Sequence, residues 1–270
     1  MVDVVSVKNT DDLGRPFPYQ FNDASAGPRP KRGAHRVRKP QRPRSFWKEL
    51  PILIAVALVL TFAIQHFVAR VYMIPSGSME QTLHGCPGCT PDRILVDKMA
   101  YDFSDPEPGD VVVFKGPKPW TENDAPTPQP ANGFVGLLQD VGSFIGLAPP
   151  DERDFVKRVI AVGGQTVRCC DGNNRVVVDG KPIYEPYLFW QSPYDQQQDP
   201  FGPVTVPEGT VWVMGDNRNN SSDSRVQGGG GVRGAVPVDN IIGKARVIVL
   251  PASRWGPISD YNPQLGQPLP

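Results

Sequence analysis

Ser78 and Lys157 are the residues of this chain whose types could support hydrolysis by a nucleophilic side chain. A serine needs a base within hydrogen-bond reach before its hydroxyl can attack a carbonyl group. The chain has three histidines, and none of them suits that role. His35 lies in a basic stretch, His66 lies in an apolar run, and His84 lies close to the serine in sequence. The sequence therefore favours a lysine as the base that activates Ser78.

A lysine can serve as a base only if its surroundings favour the uncharged amine. A free lysine is almost fully charged at pH 7, and burial lowers its pKa because burial disfavours the charged form. If Lys157 lies on a strand, Arg158 points to the opposite face, and its like charge is expected to lower the lysine pKa further. The other neighbours in sequence are apolar and predict a buried setting: Phe155, Val156, Val159 and Ile160.

An uncharged, mostly apolar segment of 20 residues, Leu50 to Ala69, precedes Ser78. A helix of this length spans about 30 Å, the thickness of a bilayer's hydrocarbon core. We interpret residues 46–70 as a transmembrane anchor. The alternatives are a cleaved signal peptide, whose apolar region is normally shorter and nearer the N-terminus, and a buried core helix.

Charge on the two sides of this segment predicts its orientation. Nine lysines and arginines lie between positions 29 and 48, whereas Arg70 is the one basic residue among about a dozen that follow the segment. Positive charge is retained on the cytoplasmic side of a membrane. We therefore expect a single-pass protein of the plasma membrane, with a cytoplasmic N-terminus and an extracytoplasmic catalytic domain.

Composition divides the rest of the chain. Residues 1–45 are rich in proline, glycine, aspartate and arginine and predict a disordered, basic cytoplasmic tail whose charges can contact membrane lipid. Residues 71–250 predict one domain with an insert at 117–150, and residues 251–270 predict a loose C-terminal tail. The formal net charge is zero, so no nucleic acid partner is expected. We expect no cofactor and no metal.

The fold class follows from short strand-like runs separated by turn signals. With 31 prolines and 27 glycines, the chain favours turns and short strands over long helices. We predict a mainly antiparallel β fold. The runs are Ile94–Val96, Val111–Phe114, Phe155–Ala161, Thr166–Arg168, Arg175–Val178, Val211–Met214 and Ile241–Leu250.

The insert at 117–150 supports two interpretations besides disorder. Its first part is rich in proline, and apolar residues recur at helical spacing from Phe134 to Ile145. Such a helix could cap an edge of the domain, or it could form a membrane-surface patch near the active site.

The four cysteines fall into two local pairs. Cys86-Pro-Gly-Cys89 could be half of a zinc site, a redox motif or a local disulfide. A zinc site would need two more ligands, of which His84 could be one. We favour a disulfide, because disulfides persist on the outer face of a membrane. A bond between the adjacent Cys169 and Cys170 is strained, so this pair is expected to stay reduced or to cross-link elsewhere.

Four segments resemble the conserved boxes of bacterial type I signal peptidases, in the order of that family. The segment Ile74–Leu83 resembles the nucleophile box S-G-S-M-x-P-T-L, with Gln81 where the family usually has proline. Gly109–Phe114 resembles G-D-[IV]-V-V-F, Lys157–Gln165 resembles K-R-x-x-G-x-P-G-D, and Gly215–Arg225 resembles G-D-N-R-D-N-S-x-D-S-R. The departures spare the catalytic side chains: Gln81, Ala161, Gly163, Gln165 and Asn219.

The resemblance implies a membrane-anchored serine endopeptidase that removes signal peptides from exported preproteins, on an antiparallel β-sheet domain of the signal-peptidase type. It makes Ser78 the nucleophile and Lys157 the general base. It makes Ser221 the residue that orients the lysine, and it forms the oxyanion hole from the Ser78 backbone N–H and the Ser76 hydroxyl. Structural ion pairs, without a catalytic role, are expected for Asp216, Arg158, Arg218, Asp223 and Arg225.

Substrate recognition is expected to follow the family pattern. A preprotein would add its cleavage segment as an extended strand at an exposed edge beside Lys157. Two shallow apolar pockets would then accept small side chains, typically Ala-x-Ala. The candidate pocket walls are Ile74, Pro75, Met79, Leu83, Phe155 and Val156.

Three other functions compete with this hypothesis. A specialised maturation peptidase could use the same dyad. Self-cleaving SOS repressors also use serine and lysine, but they are soluble DNA-binding proteins, which the apolar segment and the zero net charge disfavour. A catalytically inactive, membrane-tethered binding protein could share the fold, but Ser78, Lys157 and Ser221 are all present.

Overall fold

The structure is a computed structural model that describes residues 46–122 and 154–268, without the side chains of Lys48, Gln267 and Pro268. The predicted tail at 1–45 and most of the insert at 117–150 lie outside the described residues. The beginning of the insert forms a short helix, α2 (Lys118–Thr121).

The N-terminal helix α1 (Phe46–Ala63) continues as a π-helical turn (Ile64–Val68). Across Glu49–Val68 the mean hydropathy is 2.2, and none of this stretch is buried against the rest of the protein. Among the described residues, this is the one helix long and apolar enough to cross a membrane. Ala69 and Arg70, the last two residues of the predicted anchor, pair with the neighbouring strand.

Antiparallel strands dominate the described residues, which confirms the predicted fold class. The main sheet has eight strands within the described ranges, in the order β1-β2-β11-β3-β4-β9-β10, with β12 beside β11. Its strands are β1 (Ala69–Met73), β2 (Arg93–Asp97), β3 (Val111–Lys115), β4 (Asp154–Val162), β9 (Thr210–Met214), β10 (Val236–Pro237), β11 (Ile241–Leu250) and β12 (Gly256–Pro257).

A smaller sheet in the order β7-β6-β5-β8 follows β4 in the chain. Its strands are β5 (Thr166–Cys169), β6 (Val176–Val178), β7 (Lys181–Pro182) and β8 (Phe201–Thr205). One apolar cluster joins the two sheets, because it combines Ile160 of β4 and Trp212 of β9 with Val167 of β5 and Val204 of β8. Burying these side chains is the main favourable term that holds the sheets together.

A second apolar cluster lies under the segment that follows β1. Ile74, Met79 and Leu83 are buried there with Val96 of β2 and Val113 of β3. Three apolar side chains within ten residues anchor this segment to the main sheet. The cluster therefore fixes the chain on both sides of Ser78.

The C-terminal residues pack against the domain instead of forming the loose tail that the sequence predicts. β12 pairs with β11, and Ile258 is buried in the second apolar cluster. The backbone carbonyl of Ser259 accepts a 2.8 Å hydrogen bond from Arg158 Nη1. A short hairpin, β13 (Tyr261–Asn262) and β14 (Gln267–Pro268), ends the described chain.

Candidate active site

Ser78 and Lys157 lie 79 residues apart in sequence, and their side chains meet in the structure. Ser78 lies in a 3-10 turn directly after β1, and Lys157 lies on β4. Lys157 Nζ donates hydrogen bonds to Ser78 Oγ at 2.8 Å and to the carbonyl of Val156 at 3.0 Å. Only 8% of Ser78 and 4% of Lys157 are exposed. A hydroxyl and an amine are therefore held together in a nearly water-free setting.

Burial lowers the pKa of Lys157 from 10.5 to about 8. The carboxylates of Asp223 and Asp216 act in the opposite direction, and the charge of Arg225 adds to the lowering. Arg158, whose like charge was expected to add to this lowering, is paired with Asp216. About a tenth of a group with this pKa is uncharged at pH 7, far more than for a free lysine.

The turn that carries Ser78 is held by its own chain and by the loop 215–225. The backbone N–H of Leu83 donates to the carbonyl of Met79 at 2.8 Å, which continues the turn beyond Ser78. From the loop, the backbone N–H of Asn217 donates to Ser78 O at 3.1 Å, and Asn217 Nδ2 donates to Gly77 O at 2.9 Å. Asn217 is buried, and the sequence interpretation gave it no role.

Gly215 allows this loop to approach the nucleophile turn. A Cβ atom at position 215 would collide with the backbone carbonyl of Ser78 on one side and with the side chain of Ser221 on the other. Only a glycine leaves room for both contacts. The family-like Gly-Asp-Asn-Arg sequence therefore has a steric reason for its first residue.

Arg158 and Asp216 form an ion pair, with both side chains closed to solvent. Arg158 Nε donates to Asp216 Oδ1 at 2.9 Å and Nη2 donates to Oδ2 at 2.8 Å, while Nη1 donates to Gly109 O at 2.7 Å. The guanidinium also lies 4.0 Å from the ring centre of Tyr187. Thr82 Oγ1 donates to Asp216 Oδ2 at 2.6 Å, so the pair also holds the segment that follows Ser78.

Asp223 and Arg225 form a second pair within the loop, at 2.8 Å between Arg225 Nε and Asp223 Oδ1. The backbone N–H of Gly215 donates to Asp223 Oδ2 at 2.9 Å, which closes the loop on itself. Burial acts to raise the pKa of Asp223, but the hydrogen bonds and charge of Arg225 and the Gly215 N–H hold this pKa below its ordinary value. Asp223 is thus a buried carboxylate that stays charged.

Arg218 forms a further buried ion pair, with Glu185 from the segment after β7. Gln198 Oε1 also accepts from Arg218 Nη1, at 2.7 Å. The sequence predicted an ion pair for Arg218 but gave no partner. Glu185 has no motif around it that would identify it, and it meets Arg218 only because the small sheet folds back onto the loop.

The two serines that were predicted to support the dyad, Ser76 and Ser221, lie in different surroundings. Ser76 Oγ lies 3.4 Å from Ser78 Oγ, within hydrogen-bond reach, on an exposed residue. Ser221 Oγ is closed to solvent and lies against Gly215, behind the nucleophile turn. Among the described residues, however, no hydrogen bond joins Ser221 Oγ to Lys157 Nζ.

A cavity of about 190 Å³ opens beside the two reactive side chains. Five of the six predicted wall residues line it, whereas Leu83 lies outside it and is fully buried in the core. The lining residues are Tyr72, Met73, Ile74, Pro75, Ser76, Ser78, Met79, Val113, Asp154, Phe155, Val156 and Lys157. The groove thus lies between the end of β1 and the start of β4.

Both cysteine pairs are joined by disulfides. Cys86 is bonded to Cys89, eight residues beyond Ser78. Cys169 is bonded to Cys170, the vicinal bond that the sequence disfavoured. Cys169, the last residue of β5, is buried in the apolar cluster that joins the two sheets, and Cys170 packs against the same cluster.

Comparison with known proteins gives consistent matches. Residues 47–250 match the family described as signal peptidase, peptidase S26. The signal peptidase I of Mycobacterium tuberculosis is 46% identical over an alignment of 281 positions, which covers 97% of this chain and 94% of that protein. A protein named probable signal peptidase I from Mycobacterium leprae is 49% identical over 253 residues, which cover 86% of this chain and 85% of that protein.

Among solved structures, a signal peptidase I from Enterococcus faecalis V583 matches with a TM-score of 0.32 and 22% sequence identity. The match covers 52% of this chain and 97% of that chain.

Proposed function

The chain belongs to the signal peptidase family, peptidase S26, and we propose that it cleaves signal peptides from exported preproteins with Ser78 as nucleophile and Lys157 as general base. Membership of this family makes the protein a serine endopeptidase that acts on secreted preproteins. The observation that carries the dyad is the 2.8 Å contact between Lys157 Nζ and Ser78 Oγ.

The first chemical step is the transfer of the Ser78 proton to Lys157 as the oxygen attacks the scissile carbonyl. The uncharged amine has a lone pair, so in that state the nitrogen can accept a hydrogen bond from the Ser78 hydroxyl across the same contact. Its lowered pKa of about 8 supports this direction, because it places the base near the working pH. The resulting ammonium then supplies the proton for the leaving amine, and water completes hydrolysis of the acyl-enzyme.

Stabilisation of the tetrahedral intermediate is assigned to the Ser78 backbone N–H and the Ser76 hydroxyl. Ser76 Oγ lies 3.4 Å from Ser78 Oγ, close enough to reach an oxygen on the carbon that the nucleophile attacks. Ser221 acts in this proposal from behind the turn, where it packs against Gly215.

The substrate strand is proposed to lie in the groove beside the dyad. β1 is the terminal strand of the main sheet, and the pairing of β4 with β9 begins only at Arg158. Residues 155–157 pair with β3 on one side only, and they line the groove. The proposed open edge of β4 is therefore confined to its first half, before Arg158. An extended peptide can pair with such an edge while alternate side chains enter the cavity. The cavity has a volume of about 190 Å³ and apolar walls such as Ile74 and Val156. It therefore suits the small side chains of an Ala-x-Ala segment.

We also propose that residues 46–70 anchor the protein in the plasma membrane, with the N-terminus in the cytoplasm and the catalytic domain outside. The exposed apolar surface of α1 supports a lipid-facing helix, since Ile52, Leu58 and Val59 are each more than 60% exposed. β1 starts directly after the helical segment, and Ser78 follows ten residues after that segment ends at Val68, so the nucleophile is expected to lie near the membrane surface. Precursors that are themselves tethered by their signal peptides would meet the groove there.

Cleavage by the detergent-solubilised full chain tests the function. A preprotein with an Ala-x-Ala segment should be cut after that segment, as mapped by mass spectrometry. Ser78→Ala should abolish the cut, because it removes the proposed nucleophile. The variant should keep the wild-type circular dichroism spectrum, because only one oxygen atom is lost. Turnover by this variant within a few-fold of wild type would contradict the dyad.

Protease protection tests the orientation separately. Protease added to intact spheroplasts should digest the chain beyond Arg70 and spare an epitope placed at the N-terminus. Digestion of that epitope in sealed cells would show the opposite orientation.

A further inference from the structure

Four side chains with metal-binding atoms converge behind the nucleophile turn. Glu80, His84, Cys86 and Cys89 each offer one such atom, and all four atoms lie within 4.8 Å of one another. A tetrahedral zinc ion binds sulfur at about 2.3 Å and nitrogen or oxygen at about 2.0–2.2 Å, which separates its donor atoms by about 3.3–3.8 Å. His84 Nδ1 and Glu80 Oε2 are already 3.6 Å apart. The most distant donor atoms must approach by about one ångström, and the two sulfurs, which are bonded to each other, must separate by about 1.8 Å once reduced.

The donor set is specific in its chemistry. Two thiolates, an imidazole and a carboxylate suit zinc, and two cysteines separated by two residues have the spacing of a common zinc half-site. The sequence supplied three of these residues but lacked a fourth ligand. Glu80 is that ligand, because the turn that continues beyond Ser78 places it one helical turn before His84.

Backbone contacts hold the ligands in place without a metal. The N–H of Gly85 donates to Glu80 Oε1 at 3.2 Å, which leaves Oε2 directed at His84. The N–H of His84 donates to Asp92 Oδ2 at 2.8 Å, and His84 O accepts from the Asp92 N–H at 2.8 Å. Glu80 is buried, while His84 and both cysteines are partly exposed, so an ion has a path from solvent.

We propose that Glu80, His84, Cys86 and Cys89 bind Zn²⁺ when the cysteines are reduced, and that the Cys86–Cys89 disulfide is the oxidised, metal-free state of the same site. A dithiol reductant opens the bond by thiol–disulfide exchange, which yields two cysteine thiols and the disulfide of the reductant. Zn²⁺ then binds both sulfurs as thiolates, and two protons are released. Either state closes the loop from Glu80 to Cys89.

The site touches the nucleophile turn directly. A Cβ atom added at Gly77 would lie 3.5 Å from Glu80 Cγ and 3.7 Å from Cys86 Cβ. Gly85 packs so closely on the backbone of Ser76 that it has no room for a side chain. The zinc-bound state would thus support the turn under conditions that remove the disulfide.

Cobalt titration of the full chain in detergent tests this site without measuring activity. After reduction with a phosphine, the wild type should bind one equivalent of Co²⁺ with thiolate-to-cobalt charge-transfer bands, and Zn²⁺ should displace it. The oxidised protein should show no bands. Glu80→Gln and His84→Gln should each weaken Co²⁺ binding at least 10- to 100-fold, the range known for loss of a supporting partner. A Cys169→Ser/Cys170→Ser variant is the matched control and should bind like wild type.

Three outcomes would overturn the proposal: absence of charge-transfer bands in the reduced wild type, their survival in Cys86→Ser/Cys89→Ser, and unchanged affinity in both glutamine variants. Alkylation of the reduced wild type before titration provides a second measurement that does not depend on how the serine variant folds. It should remove the bands, and their persistence would also contradict the site.

Discussion

Arg158 and Asp216 form a two-point ion pair that is closed to solvent, and Arg158 is the residue next to Lys157 on β4. The pair joins β4 to the loop 215–225, and Thr82 joins the nucleophile segment to the same carboxylate. Burial acts against the charge of Arg158, but the carboxylate of Asp216 raises the pKa of Arg158 above its ordinary value. Because consecutive side chains of a strand point to opposite faces, Lys157 and Arg158 have different surroundings. Lys157 is the proposed base, and Arg158 stays a cation.

Asp216→Asn should destabilise the protein strongly, because it leaves Arg158 charged and buried without a counter-ion. Removing one partner of a buried ion pair typically costs about 3–5 kcal/mol. The free energy of unfolding of the full chain in detergent, from denaturant titration, measures the effect. Asp171→Asn is the matched control, because it breaks an exposed pair with Arg175 and should leave the unfolding midpoint nearly unchanged. Equal midpoints for the two variants would contradict a structural role for the buried pair.

The sequence contained enough to predict the parts of the site that have local patterns. Strand-like runs predicted β3, β4, β9 and β11, and the apolar residues around Lys157 predicted its burial. The two-residue strands β7, β10 and β12 were missed, because such strands exist only through the partners that they meet. The five-residue strands β1 and β8 were missed as well, since β1 follows the apolar helix without a break and β8 contains a glycine and a proline.

Contacts between distant segments could not be predicted from local patterns. Leu83 was assigned to a pocket because apolar residues suit both pockets and cores, and only packing against the main sheet decides between them. Glu80 and Glu185 acquire their roles from residues that the fold brings to them. The packed segment at 251–268 was also missed, since its anchors are contacts with residues that are distant in sequence. Ile258 is buried in the second apolar cluster, and ion pairs join Arg254 to Asp92 and Asp260 to Lys244.

Lys157→Arg should be as inactive as Lys157→Met. Arginine keeps the positive charge but stays protonated at any working pH, so it cannot accept the proton of Ser78. The rate of precursor cleavage by the two variants, measured in the same detergent, compares them. Substantial turnover by the arginine variant alone would mean that the side chain acts through its charge and not as a base.

The pH dependence of kcat/KM should show an ascending limb with an apparent pKa near 8. Burial lowers the pKa of Lys157 to about this value, and the enzyme is active only after the amine has lost its proton. Rates measured from pH 6 to pH 10 on a precursor without titrating groups near its cut site give the profile. A value of kcat/KM that rises with undiminished slope up to pH 10, or no ascending limb in this range, would contradict a buried lysine base with the lowered pKa.

Lys157→Met should stabilise the protein more at pH 6 than at pH 10. The folded-state pKa of about 8 lies below the ordinary 10.5, so the unfolded chain binds more protons between these values and stability rises with pH in that window. Below pH 8 the wild type bears the full cost of a buried charge, about 3 kcal/mol for this shift. Denaturant unfolding at both pH values measures the difference, with the exposed Lys181→Met as control. A stability difference that does not change with pH would argue against the lowered pKa.

Gly215→Ala should reduce cleavage strongly while leaving substrate binding intact. The added Cβ would collide with Ser78 O and with the Ser221 side chain, so the loop must move away from the nucleophile turn. A displacement of about 1 Å at reacting groups can cost about 100-fold in rate, so kcat should fall by about that factor. KM should change little, because the groove walls lie on β1, β4 and the segment after β1. Gly172→Ala is the matched control, because nothing lies within 4 Å of a Cβ at that position and its rate should equal that of wild type. If Gly215→Ala keeps the wild-type kcat, the contact between the loop and the turn does not position Ser78.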